Sequence, residues 1–181
     1  FSNENEPFTV ALVLDMSYSA KFKISEIQSA AIEFIEQLRP HDKVMVVSFD
    51  GEVHILCEAT SDRKEIHRAI RATKIGMGTS LYEAMDLVIN NRLRQVEGRK
   101  AVILFSDGVD TTSRRASDLR TLHDATELDS LIYTIRYDTF ADVQSMKNGP
   151  VAAKPQITFP PSRDGVSFPF PLPKGGTQSG T

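Results

Sequence analysis

The residues of this chain best suited to chemistry are one carboxylate and two hydroxyls at alternate positions, Asp15, Ser17 and Ser19. They follow Val10–Leu14, a short apolar run bounded by polar residues, which is typical of a strand buried on both faces of a parallel sheet. Open α/β sheets bind ligands beyond the carboxyl ends of their strands. An all-oxygen set at that place suits a hard divalent cation, not zinc or copper. A serine-rich turn that only caps the next helix is the alternative for this pentapeptide alone.

Two later segments carry the same kind of oxygen donors. Thr79 follows a glycine in the loop Gly76–Ser80. Asp107 lies in Ser106-Asp107-Gly108, directly after 100–105, a second run that is typical of a strand buried on both faces. These segments therefore carry the same chemistry as the first, and the three together are more specific than any one of them.

The elements that must position these segments follow from the apolar patterns. Helical spacing covers 24–38, 62–73, 81–89 and 119–128, and further strand-like runs are 43–49, 52–57 and 131–137. The order β-α-β-β-α-α-β-α-β predicts an α/β fold: a doubly wound, Rossmann-like, mostly parallel sheet flanked by helices on both faces. The turn signal Asp50-Gly51 predicts that 52–57 pairs antiparallel at an edge. Ser25 with Gln28, and Ser80 with Glu83, predict two capping boxes.

Composition divides the chain into a domain over 8–140 and an extension over 141–181. Seven of the nine prolines lie between Pro150 and Pro173, and the last residues are rich in glycine. No periodicity of a helix or strand continues there. We therefore expect a disordered proline- and glycine-rich extension, or an insertion that is cut short.

Charge, cysteine content and hydropathy exclude several classes of function. The 181 residues carry a net charge of −3, so no global basic field indicates nucleic acid or an anionic membrane as partner. Cys57 is the only cysteine, which excludes an internal disulfide and a cysteine-based zinc site, and its apolar neighbours predict a buried thiol. No apolar run approaches the roughly 20 residues that span a bilayer.

Asp-x-Ser-x-Ser, then threonine after glycine, then Ser-Asp-Gly after a hydrophobic strand resembles the von Willebrand factor A domain and its metal-ion-dependent adhesion site. The resemblance covers about 8–138, and length and loops are similar to the free-standing bacterial domains. It implies Mg²⁺, with Mn²⁺ or Ca²⁺ as alternatives, beside Asp15, Ser17, Ser19, Thr79 and Asp107. Asp15 would lie close by or act through a bridging water. The residues expected to surround these ligands or to touch a partner are Tyr18, Gly78, Ser106 and Asp110.

Two departures from the family pattern stand out. Most relatives have glycine where this chain has Tyr18, although integrin beta-subunit I-like domains also read Asp-x-Ser-Tyr-Ser. Relatives also continue with a further helix and strand after the segment that corresponds to 131–137. Because the proline-rich segment begins there instead, the last helix–strand unit is predicted to be absent.

The resemblance implies a protein-binding module for adhesion or assembly, which captures an Asp or Glu of a partner protein through the metal. It also implies an extracytoplasmic place, periplasmic or secreted, with any targeting segment outside this sequence. A structural domain with a vestigial site and a metal-dependent hydrolase are the alternatives. We expect no enzyme, because Ser17 stands where an aspartyl-nucleophile phosphatase would need a second aspartate, and because no Gly-x-Ser-x-Gly, Walker or His-Glu-x-x-His motif occurs.

Overall fold

The structure is a computed structural model that describes residues 7–107, 111–113 and 131–137. In these ranges the strands are β1 (Thr9–Asp15), β2 (Lys43–Phe49), β3 (Val53–Thr60), β4 (Lys100–Ser106) and β5 (Leu131–Arg136). They form one sheet in the order β3-β2-β1-β4-β5, and β2–β3 is its antiparallel pair while the other pairs are parallel. This confirms the predicted mostly parallel sheet with one antiparallel edge strand.

The helices of the described ranges lie between these strands along the chain. They are α1 (Ile24–Glu36), α2 (Arg63–Arg71) and α3 (Leu81–Asp86). A 3₁₀-helix (Tyr18–Phe22) precedes α1, and α3 continues as a π-helix (Leu87–Arg92) and a 3₁₀-turn (Leu93–Gln95). None of the helices in this part of the chain is both long and apolar enough to cross a membrane.

The centre of the sheet is β1, of which every residue is buried. Successive side chains of a strand point to opposite faces, so β1 packs against helices on both sides. Leu12 belongs to the core that includes Ile27 of α1 and Ile66 of α2. Val13 belongs to the other core, with Ala84 of α3. The doubly wound arrangement predicted from the order of elements is therefore confirmed.

The β2–β3 hairpin closes at the predicted turn. Asp50 donates its backbone N–H to the Glu52 carbonyl, and its carboxylate accepts the Glu52 N–H at 2.8 Å. β3, the second strand of this hairpin, extends beyond the predicted end at 57 and reaches Thr60. Cys57 on β3 is buried as expected; burial and the nearby carboxylate of Glu65 raise the pKa of its thiol to about 11.

Both predicted capping boxes are wrong. The residue before α1 is Lys23, not a hydroxyl residue, because the 3₁₀-helix runs directly into α1. The Gln28 side chain instead donates to the Thr73 hydroxyl at 2.9 Å, which ties α1 to the end of α2. Ser80 does precede α3, but its hydroxyl donates to the carbonyl of Gly51 and not to the helix.

Several predictions lie outside the described residues. These are the helix at 119–128, the position of Asp110, the domain boundary at 140, the extension 141–181 and the absence of a last helix–strand unit. They stay predictions from the sequence.

Candidate metal centre

The carboxyl ends of β1 and β4 are tied together through Asp15. This side chain is 0% exposed. Its Oδ1 accepts the backbone N–H of Ser17 at 2.9 Å, and its Oδ2 accepts the hydroxyl of Ser106 at 2.8 Å. Because β1 and β4 are parallel neighbours, their ends lie side by side, as the sequence predicted for these polar segments.

The environment of Asp15 disfavours its negative charge. Burial raises the pKa of Asp15, the hydrogen bonds from Ser17 and Ser106 lower it, and the carboxylate of Asp107 raises it again; the net pKa is above the usual value. The hydroxyl of Tyr137 donates to the Asp15 backbone carbonyl at 3.2 Å, and burial and the two carboxylates raise the pKa of this tyrosine. A cation placed here would stabilise the ionised form of Asp15.

Three side-chain oxygens form a hydrogen-bonded chain next to Asp15. The hydroxyl of Ser19 donates to Oδ2 of Asp107 at 2.7 Å across 88 positions of sequence. The hydroxyls of Ser17 and Ser19 are 3.0 Å apart. The structure therefore brings together Ser17, Ser19 and Asp107 from two loops, as the sequence predicted.

The loop Gly76–Ser80 is fastened to the segment that follows β1. The N–H of Gly76 donates to the carbonyl of Met16 at 2.9 Å, and the N–H of Met16 donates to the carbonyl of Phe49 at the end of β2. The N–H of Ser80 donates to the carbonyl of Asp50 at 2.6 Å. Thr79 is buried. These bonds hold it at the end of the sheet where β1 and β2 have their carboxyl termini, and Ser17 lies at the same end.

Thr112 fixes the Thr79 backbone, a role that sequence reasoning missed. The N–H of Thr79 donates to Oγ1 of Thr112 at 3.0 Å, and the carbonyl of Thr79 accepts the N–H of Thr112 at 3.1 Å and that of Thr111 at 3.0 Å. The hydroxyls of Ser80 and Thr112 are 2.8 Å apart. The run Thr111-Thr112-Ser113 is a signal in the sequence, but nothing in its spacing says which hydroxyl reaches Thr79.

Gly78 is required by the backbone and by space. Its φ is +83°, in the left-handed region that favours glycine. A Cβ at this position would lie 2.7 Å from Cγ2 of Thr112 and 3.1 Å from Cα of Gly51. The segment at Thr112 and the loop therefore approach closely only because residue 78 has no side chain.

Tyr18 does not separate the two serines that flank it. It lies at the first position of the 3₁₀-helix, and its side chain is 50% exposed. The contact between Ser17 and Ser19 on either side of it is intact. Asp110, the remaining predicted residue, lies outside the described ranges.

The donor set fits magnesium in its chemistry. The clustered oxygens are two hydroxyls and the Asp107 carboxylate, with the Asp15 carboxylate directly behind them, and hard oxygen donors of this kind suit Mg²⁺, Mn²⁺ or Ca²⁺. Within the described ranges, no group of three His, Cys, Asp or Glu residues comes close enough to hold a metal.

Comparison with known proteins gives a consistent result. Residues 10–109, more than half of the chain, match the family model of the von Willebrand factor type A domain. The chain is 31% identical over 106 residues to an uncharacterized protein of Synechocystis sp., covering 56% of this chain and 25% of that protein.

Two solved structures share the fold at low sequence identity. The vWF domain of the type V pili tip protein Mfa5 from Porphyromonas gingivalis has a TM-score of 0.56 at 23% identity, over 62% of this chain and 43% of that one. A von Willebrand factor type A structure from Catenulispora acidiphila has a TM-score of 0.62 at 16% identity, over 78% and 42%. The chain thus spans a quarter of the Synechocystis protein and less than half of each solved chain.

Proposed function

Because the chain belongs to the von Willebrand factor type A domain family, we propose that it is a divalent-metal-dependent protein-binding module. The observation that carries the proposal is the chain of oxygens from Ser17 through Ser19 to Asp107, with 3.0 and 2.7 Å between successive atoms. Two loops far apart in sequence converge to form it. Mg²⁺ is the proposed ion, with Mn²⁺ or Ca²⁺ as alternatives.

The proposed holders of the ion are the hydroxyls of Ser17, Ser19 and Thr79 and the carboxylate of Asp107. Asp15 already uses its two oxygens toward Ser17 and Ser106. We therefore assign it a supporting role: it contributes negative charge and fixes the Ser17 loop. Thr79 is included because its loop is fastened at this edge by Gly76 and Thr112.

The charge balance favours binding of an acidic partner. The hydroxyls of Ser17, Ser19 and Thr79 are neutral, so Asp15 and Asp107 supply the negative charge among the proposed residues. Magnesium in proteins usually retains several waters and has only one or two protein carboxylates. When bound, the ion would supply a positive centre that attracts a carboxylate of another molecule. An Asp or Glu of a partner protein is the ligand we propose.

We also propose that the protein is located outside the cytoplasm and that it binds a partner without catalysing a reaction. Support for the place comes from the Mfa5 neighbour, which is a pilus tip protein. Support for a binding role comes from the family itself.

The experiment is a pull-down with this chain as bait. A partner protein should be captured in Mg²⁺ and released in EDTA. Thr79→Ala should weaken capture as strongly as replacing one acidic residue of the captured partner by its amide. Replacing the acidic residue removes one member of a charge pair, for which roughly 3–5 kcal/mol is the expected loss. Ser61→Ala is the matched control. Ser61 is an exposed residue next to Thr60, and Thr60 pairs with Val44 at the amino-terminal end of β2, the end of the sheet away from the candidate metal centre.

Two results would replace the proposal by its alternatives. Capture that is indifferent to chelator would indicate a structural domain with a vestigial metal site. Turnover of a phosphoester or a peptide that Asp15→Asn abolishes would indicate a metal-dependent hydrolase.

A further inference from the structure

The 3₁₀-helix Tyr18–Phe22 has three distinct faces, because residues three apart are eclipsed in such a helix. One face, with Ala20 and the following Lys23, is buried. A second carries Tyr18 and Lys21, which are exposed. The third carries Ser19 and Phe22. Phe22 therefore lies one turn beyond the hydroxyl that bonds to Asp107, on the same face, and it is 47% exposed.

The ammonium group of Lys21 lies near two aromatic rings of this helix. Nζ of Lys21 is 5.3 Å from the centre of the Tyr18 ring and 5.8 Å from the centre of the Phe22 ring. Both distances are within the range of a cation–π interaction. The positive charge of Lys21 thus lies over two aromatic rings of the helix that begins directly after Ser17.

A third apolar side chain comes from the neighbouring loop. Met77 is 74% exposed, although its backbone is closely packed: its carbonyl oxygen would lie 2.5 Å from a Cβ on Gly51. The preceding residue, Gly76, donates to the carbonyl of Met16 at 2.9 Å. Met77 therefore follows a backbone anchor on the segment that leads into the 3₁₀-helix. We call Tyr18, Phe22 and Met77 the apolar rim.

Among the described residues, the apolar rim accounts for three of the five exposed large apolar side chains. In the part of the chain that the structure describes, the exposed large apolar side chains are these three together with Leu131 and Ile132. The latter two begin β5 and pair with the amino-terminal end of β4, whereas the candidate metal centre lies at the carboxyl-terminal end. Grouped exposed apolar residues mark interaction sites, and Tyr, Phe and Met are enriched at the centres of protein interfaces.

We propose that the apolar rim and Lys21 select the partner: a protein segment in which the captured acidic residue is flanked by large apolar side chains. This inference rests on the proposed metal-dependent capture. The positive charge of Lys21 is complementary to an acidic residue, and the three apolar side chains are complementary to its neighbours. Nucleic acid phosphate fits poorly, because its binding depends on many basic contacts, whereas this chain has a net charge of −3.

The test uses the full chain and short synthetic peptides with one central aspartate. One peptide has leucine and phenylalanine beside the aspartate, and its matched partner has serines there. Fluorescence anisotropy in Mg²⁺ should show at least about tenfold tighter binding of the apolar peptide, the effect of burying one large side chain. Binding of both should disappear in EDTA. Phe22→Ser and Met77→Ser should each remove most of the difference, whereas Leu131→Ser should keep it.

The outcomes separate this inference from the function on which it rests. Binding that needs Mg²⁺ but is equal for the two peptides, or is unchanged in both rim variants, overturns the selecting role and leaves metal-dependent capture standing. Failure of both peptides to bind, while calorimetry still shows the metal bound, also overturns it. Absence of Mg²⁺ binding to the wild-type chain overturns the proposed function itself. Calorimetry on Phe22→Ser and Met77→Ser should show unchanged Mg²⁺ binding, because neither native side chain offers a hard oxygen ligand.

Discussion

At the scale of single residues, Asp15 connects the stability of the domain to its proposed function. A carboxylate that is 0% exposed and lies near a second carboxylate is a poor choice for stability alone, and its raised pKa reports this. Strongly perturbed ionisable groups cluster at functional sites. A bound dication would offset the destabilising effect of this buried carboxylate. The same negative charge that lowers the stability of the metal-free protein would then attract the metal.

Asp15→Asn should therefore stabilise the metal-free protein, by about 1 kcal/mol, the size of a typical stabilising substitution. The amide oxygen can still accept the N–H of Ser17, and the amide NH₂ can donate to the rotatable hydroxyl of Ser106. Urea unfolding in EDTA measures the effect. Repeating it in Mg²⁺ should show stabilisation of the wild type and little of the variant.

Asp42→Asn is the matched control. Asp42 is also buried, but its two oxygens accept backbone N–H groups, from Phe8 and Arg39, each at 2.9 Å. An amide there points its NH₂ at a donor that cannot rotate away, so this variant should be destabilised, equally with and without Mg²⁺. A less stable Asp15→Asn protein in EDTA would contradict the account of Asp15.

At the scale of elements, the loop Gly76–Ser80 depends on Thr112. Thr112→Val keeps the shape of the side chain but leaves the buried N–H of Thr79 without its hydroxyl acceptor. The cost expected for such a group is about 1–3 kcal/mol of unfolding free energy. Metal affinity should fall as well, since the Thr79 backbone is no longer fixed. Thr112→Ser keeps the hydroxyl and should retain both properties; equal loss in the two variants would show that the methyl group matters and the hydrogen bond does not.

Gly78→Ala tests the close approach within the same loop. Alanine at a φ of +83° costs roughly 1–2 kcal/mol for the left-handed backbone, and its Cβ would also clash with Thr112. Gly98→Ala is the matched control, because Gly98 has a φ of +81° but precedes β4, at the opposite edge of the sheet. Thermal unfolding should show the larger loss for Gly78→Ala, and only this variant should lose metal binding. Equal metal binding by the two variants would contradict the role of the loop.

Elements with a strong apolar pattern were predictable, whereas contacts between distant elements were not. The run Val10–Leu14 predicted β1 because a strand buried on both faces has apolar residues at every position. The capping box of Ser25 and Gln28 failed because Gln28 finds Thr73, which lies 45 positions away. The 3₁₀-helix at Tyr18 was missed, since Ala20 is the buried residue among its five and no core pattern marks it.

At the scale of the whole molecule, the topology explains why three short motifs become one site. Parallel order places the carboxyl ends of β2, β1 and β4 side by side, and the Asp15, Thr79 and Asp107 segments meet there. The alternation of strands and helices made this convergence predictable. The role of Thr112 was not predictable, because it depends on where a loop without periodicity returns to the sheet.

The most direct test of the central claim is isothermal titration of the wild-type chain and Asp107→Ala with Mg²⁺ and Mn²⁺. We expect one site in the wild type, tighter for Mn²⁺ because of its place in the affinity series of divalent metals. Asp107→Ala should lose this site while circular dichroism shows an unchanged fold, because Asp107 is partly exposed and contributes its carboxylate to the oxygen chain. Ser61→Ala should bind as the wild type does. Equal binding by wild type and Asp107→Ala, or no binding by either, would contradict the metal centre proposed here.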